Sequence, residues 1–155
     1  MFYIKLRGLE DFEIKIAARW ADVDQNRHIR HSAYYDYGAH SRIRFFLAHH
    51  FDSDKMNTLN IGPILFKEEC SFIKELKPDQ QITINLLRGV IKEDGSRWTL
   101  HHEIFDQNQE KCAHITIQGA WMDLKLRKLT VPPIELAHAF RSLPEGEPFT
   151  YRKKV

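Results

Sequence analysis

The feature of this sequence that most restricts its fold is one long stretch of helical spacing set among segments that alternate. Over residues 32–50, Tyr34, Tyr37, Gly38, Ser41, Phe45 and Ala48 recur on one helical face, the pattern of a buried stripe. Ser32 stands at its start, with a hydroxyl able to cap the unpaired backbone N–H groups of a first turn. Gly38 sits inside the stripe at a cost of about 1 kcal/mol against alanine, which close approach of another backbone would justify. Around this stretch the period is two. Phe12, Ile14 and Ile16 alternate with Glu13, Lys15 and Ala17 in a segment spanning 12–20, and strand-like segments follow at 63–76, 81–92, 97–105 and 112–124. Glu93-Asp94-Gly95 and the run from Asp106 to Gln109 have tight-turn composition, Pro132-Pro133 ends the sheet, and a short helix is expected over 134–141. The order is strand, long helix, four strands. This is an α+β arrangement in which the sheet must curl around its helix, and its open edge predicts pairing between chains.

Composition narrows the function classes. A chain of 155 residues with 43% hydrophobic residues suits one core. No repeat, linker or low-complexity stretch divides it, so a single domain over 1–155 is expected, with its core at about 12–133 and a short helix and tail at 134–155. A net charge of +2, from 23 basic and 21 acidic residues, argues against nucleic acid as a partner. Apolar runs fall far short of the ~20 residues of a membrane span, and Met-Phe-Tyr-Ile-Lys-Leu-Arg lacks the apolar region of a secretory signal, so a cytoplasmic location without membrane attachment is expected. Cys70 and Cys112 lack redox or zinc spacing and read as structural thiols. His49-His50 and His101-His102 are adjacent pairs and not ligand-spaced ones, so no metal and no cofactor are expected. The Tyr151-Arg152-Lys153-Lys154 run reads as a solvated tail.

The run Arg19-Trp20-Ala21-Asp22-Val23-Asp24-Gln25-Asn26-Arg27-His28-Ile29-Arg30-His31-Ser32-Ala33-Tyr34 resembles the signature of the 4-hydroxybenzoyl-CoA thioesterase-like hotdog family. That signature is a strand, D-x-D-x-x-G-H-x-x, and a helix with an early Tyr and an Arg further along, matched here by Asp24, His28, Tyr34 and Arg42. Gly62-Pro63-Ile64-Leu65 and Trp121-Met122-Asp123-Leu124, before Arg127-Lys128 and Pro132, are similar to later parts of the family pattern. The resemblance implies a hotdog fold, one long helix wrapped by a curved antiparallel sheet of about five strands. It also implies hydrolysis of acyl-CoA thioesters by a homodimer or homotetramer with interfacial active sites. Under it Asp24 is catalytic, and backbone N–H groups near His31 and Ser32 polarise the thioester carbonyl. Arg27 departs from the pattern, standing where the family usually has glycine.

The residues support this chemistry on their own terms. Thioester hydrolysis needs a group to attack or to activate water, and donors for the oxyanion. A carboxylate in the loop before a helix N-terminus meets both needs, because unpaired N–H groups and the positive end of the helix dipole lie beside it. The thiolate leaves with little acid assistance, so Asp24 can serve as nucleophile or general base. His28 either orients the loop or meets substrate, Asn26 either forms the turn or positions water, and Asp22 reads as a turn former. Asp36 reads as a solvated or salt-bridged helix carboxylate. Arg88, Lys92, Arg97, Arg127 and Lys128 lie near strand ends and are candidates for the phosphates of coenzyme A, while Tyr34, Tyr35 and Phe45 are candidates for an acyl-pocket wall. The expected activity is that of an acyl-CoA thioesterase. A non-hydrolytic binder of acyl-CoA or acyl-carrier protein is the alternative that Arg27 motivates, and a hotdog hydratase or dehydratase is a third, short of a His-plus-carboxylate pattern on the helix.

Overall fold

The computed structural model describes residues 11–151. Its elements run β1 (Phe12–Ala17), α1 (Ala33–Ala48), α2 (Ser53–Thr58), β2 (Ile61–Phe72), β3 (Gln81–Ile91), β4 (Arg97–Phe105), β5 (Lys111–Asp123), β6 (Lys128–Thr130) and α3 (Ile134–Ser142), with a 3₁₀ turn at Trp20–Asp22. The strands form one antiparallel sheet in the order β1-β3-β4-β5-β2, and the three-residue β6 adds to β5. That makes six strands among the described residues where about five were expected.

The alternation seen in the sequence sets which face is buried. Phe12, Ile14 and Ile16 pair with Leu86, Ile84 and Ile82, and Leu100, Ile104, Ile115 and Ile117 continue the same face across β4 and β5. All but Ile16 are buried, each contributing roughly 1.5–3 kcal/mol. α1 lies over this face with Ala33, Tyr34, Tyr37, Gly38, Ser41, Phe45 and Phe46 turned in. Ala48, expected in the stripe, is exposed, and Phe46 is buried instead. Phe46 packs with Trp121 and with Phe140 of α3, and Phe140 also meets Trp98, so the core runs past residue 133 to Leu143.

Several local expectations are corrected. The first strand stops at Ala17, because Arg19 and Asp22 close a turn on each other. Ser32 does not cap α1: its own backbone is helical, and its hydroxyl bonds to the Arg30 guanidinium. The close approach at Gly38 is to side chains, since a Cβ there would lie 3.1 Å from His102 Cδ2 and 3.4 Å from Arg42 Nη1. β2 begins at Ile61 and ends at Phe72, because the N–H groups of Ile73 and Lys74 both turn onto the Cys112 carbonyl. The short helix α2, capped by the Asp52 side chain accepting from Lys55 N–H at 2.8 Å, was not expected from the sequence. β2 forms one edge of the sheet, and Leu65, Phe66, Phe72 and Ile73 are exposed along and just beyond it.

Candidate active site

The two loop carboxylates occupy different environments. Asp22 is fully buried. Its oxygens accept from Arg19 N–H at 3.0 Å, Arg19 Nη2 at 2.7 Å and Tyr37 Oη at 2.9 Å. Burial by itself would push its pKa up, yet these donors outweigh it and hold the carboxyl below its ordinary range. Asp22 is thus a structural anchor tying the loop to α1 and not the free turn former expected.

Asp24 is half-buried and organises a tight turn. Its N–H donates to the His28 carbonyl at 2.9 Å, its carbonyl accepts from Arg27 N–H at 3.1 Å, and Oδ1 accepts from Asn26 N–H at 2.8 Å and His28 N–H at 3.4 Å. Among the described residues Oδ2 has no hydrogen-bond partner. Arg27 takes the left-handed conformation the turn requires, φ +63°, which glycine adopts freely and other residues at a cost of about 1–2 kcal/mol. The loop therefore keeps a glycine-type backbone although the residue is arginine.

Asp24, Asn26, His28, His31 and Tyr34 converge on one cavity of about 370 Å³ together with Ile29 and Phe72 to Glu75. His28 Nε2 lies 3.0 Å from Glu75 Oε2. Tyr34, buried and edge-on to Phe72 with ring centroids 5.0 Å apart, is pushed up to about 12 by that burial and stays protonated. The backbone N–H groups of His31 and Ser32 have no acceptor among the described residues, while Ala33 N–H is taken by the Arg30 carbonyl at 3.0 Å. The site therefore holds an anchored carboxylate, an imidazole and unpaired donors at the start of α1.

Other expected residues lie elsewhere. Arg88 donates to the Leu143 carbonyl at 3.1 Å and pairs with Glu145, Arg97 lies over the Phe66 ring, Arg127 ends the β5–β6 turn and Lys128 opens β6. None of these four residues lines the cavity at Asp24. The structure does not bring them together with Asp24 within one chain. Phe45 is in the core, Tyr35 does not line the cavity, and Asp36 is exposed near Arg19 and Arg30. His101 and His102 point to opposite faces of β4, towards His114 and Arg42 respectively. Sequence reading missed Glu75 and Lys74, because only the end of β2 folding back beside the loop makes them neighbours of Asp24.

Comparison with known proteins decides the family: the model of the thioesterase-like superfamily matches residues 18–140. The chain belongs to the thioesterase-like superfamily. No curated protein sequence matches it. Solved structures resemble it across most of its length. A hypothetical protein from Staphylococcus aureus in complex with CoA is 16% identical with a TM-score of 0.77, covering 93% of this chain and 90% of that one. The DHNA-CoA thioesterase of Staphylococcus aureus is 15% identical, with a TM-score of 0.74 over 83% of this chain and 87% of its own. The 1,4-dihydroxy-2-naphthoyl-CoA thioesterase of Synechocystis is 14% identical, with a TM-score of 0.75 over 84% and 96%. The fold is a hotdog, with α1 wrapped by the curved sheet.

Proposed function

We propose that this chain is an acyl-CoA thioesterase, a single-domain hydrolase that converts a coenzyme A thioester and water to a carboxylic acid and free thiol. The observation that carries the reading is the convergence of Asp24, His28 and the start of α1 on one cavity. Oδ1 of Asp24 is held by two backbone N–H groups, so the carboxylate is oriented without being neutralised, and Oδ2 is available to water or to the thioester carbon. The N–H groups of His31 and Ser32 receive the oxyanion, aided by the dipole of α1. His28, oriented by Glu75, lines the cavity beside Asp24 and meets the substrate there, and Asn26 contributes to the turn that aims Asp24. Tyr34 forms a wall of the cavity.

The active unit in this reading is cytoplasmic and a homo-oligomer built along the β2 edge, whose exposed Leu65, Phe66 and Phe72 match the need for a second copy. Antiparallel pairing of two β2 edges sets the Phe72 end of one against the Ile61 end of the other, and Arg127 and Lys128 lie at that Ile61 end. The coenzyme phosphates then meet Arg127 and Lys128 of the second copy. A purely binding role is disfavoured by the left-handed backbone of Arg27, which keeps the loop in shape.

The test is colorimetric release of thiol from short, medium, long and aromatic acyl-CoA esters by the parent and by Asp24→Asn. Release by the parent, lost in the variant, supports the proposal. Tight binding of an ester with no release of thiol by the parent would replace it with the binding-module reading.

A further inference from the structure

Residues 144–151 form a strap across the sheet face opposite α1. The strap is fixed at its start by Arg88 N–H donating to the Pro144 carbonyl at 2.9 Å and Gly146 N–H donating to the Arg88 carbonyl at 2.7 Å. Gly146 lies so close to the sheet that a Cβ would be 2.7 Å from Leu87 Cβ. Further along, Phe149 packs on His114 with centroids 5.8 Å apart, and Tyr151 packs edge-on to Phe149 at 4.8 Å.

Between strap and sheet is a cavity of about 770 Å³, about twice the size of the one at Asp24. Phe72 and Ile73 line both, so the two cavities adjoin at the end of β2. The walls suit an uncharged ligand. Leu87, Ile73, Phe149 and Tyr151 supply apolar surface, and Glu103 is neutralised by Lys111 at 2.7 Å. Glu145 is paired with Arg88, and the remaining charge, Glu147, is acidic and opposes a phosphate. His114, 3% exposed, lines the cavity, and its Nδ1 has no hydrogen-bond partner among the described residues.

We propose that this cavity is the subsite for the acyl group, which runs from the thioester carbon at Asp24 past Phe72 and Ile73 to lie between Leu87 and Phe149. The ligand class is an extended or aromatic acyl group. The strap thereby sets acyl preference, and the phosphates of the coenzyme stay on the other side of Asp24. The inference rests on the thioesterase reading for the position of the reacting carbon.

The test is calorimetric binding to the full chain carrying Asp24→Asn, so that its outcome does not depend on turnover. Thiol release by the parent checks the thioesterase reading separately. Phe149→Ala added to that chain is expected to weaken a medium-chain or aromatic acyl-CoA tenfold or more and to leave free CoA within twofold. Thr150→Trp, an exposed strap position that can fill the cavity without a core change, is expected to reject the same esters while acetyl-CoA still binds. Unchanged ester affinity in both variants, or an equal loss for free CoA, would overturn the proposal.

Discussion

Exchanging each loop carboxylate for its amide separates chemistry from architecture. Asp22→Asn puts an amide where Arg19 N–H, the Arg19 guanidinium and the Tyr37 hydroxyl now donate to a buried carboxylate. Hydrogen bonds to a charged group contribute roughly 1.5–3 kcal/mol each, and removing one partner of a buried pair costs about 3–5 kcal/mol. The Arg19 side chain is 65% exposed, so water recovers part of its loss and the lower figure applies, about 3 kcal/mol. For a chain of this size each kcal/mol moves Tm by about 2–4 °C, so Asp22→Asn is expected to melt about 6–12 °C below the parent. Asp24→Asn keeps the Oδ1 acceptor for the N–H groups of Asn26 and His28, and Tm should move by less than about 2 °C. Thiol release by Asp24→Asn should nonetheless fall by about 10²-fold or more. Thermal melts of both variants beside the thiol assay make the comparison. The reasoning fails if Asp24→Asn melts as early as Asp22→Asn, or if Asp22→Asn melts with the parent.

Three further outcomes are expected. His102 and His114 are buried and neutral, with pKa values pushed down to about 3 and about 4, chiefly by burial and also by the charges of Arg42 and Lys111 respectively. Below their ordinary 6.5 the unfolded chain takes up protons that the folded chain refuses, so stability present above pH 6.5 should be lost as pH falls towards 4, by roughly 1.4 kcal/mol per unit for each group; urea titrations from pH 7 to 4.5 read the slope, and His114→Gln should flatten it. Arg27→Gly should raise stability by about 0.5–1 kcal/mol by relieving the left-handed arginine, with thiol release unchanged, and a loss of stability on denaturant titration would contradict the turn geometry. Phe140→Ala should cost about 3–5 kcal/mol on the same titration, because Phe140 fills space among Phe45, Phe46, Trp98 and Trp121.

Local pattern carried much of the architecture. The period-two segments became β1 and β3 to β5 because alternation specifies which side chains one sheet face can bury, and the Tyr34 to Phe45 stripe became α1 for the same reason at period 3.6. The loop motif marked Asp24, Asn26, His28, His31 and Tyr34, which the structure sets around one cavity, since eleven consecutive residues running into the first turn of α1 have little freedom to disperse. What the sequence could not convey depended on residues far apart in the chain. Asp22 and Asp24 are equivalent in local pattern, and only the position of Tyr37 and Arg19 makes one an anchor and leaves the other with a free oxygen. Glu75 meets His28 because β2 ends beside the loop, 47 positions later. Arg88 and Arg97 share composition with a phosphate site but do not line the cavity at Asp24. Periodicity and turn chemistry act between neighbours and so are legible along the chain; pairing of charges and the walls of cavities are set by register and packing, which exist only once the sheet has closed around its helix.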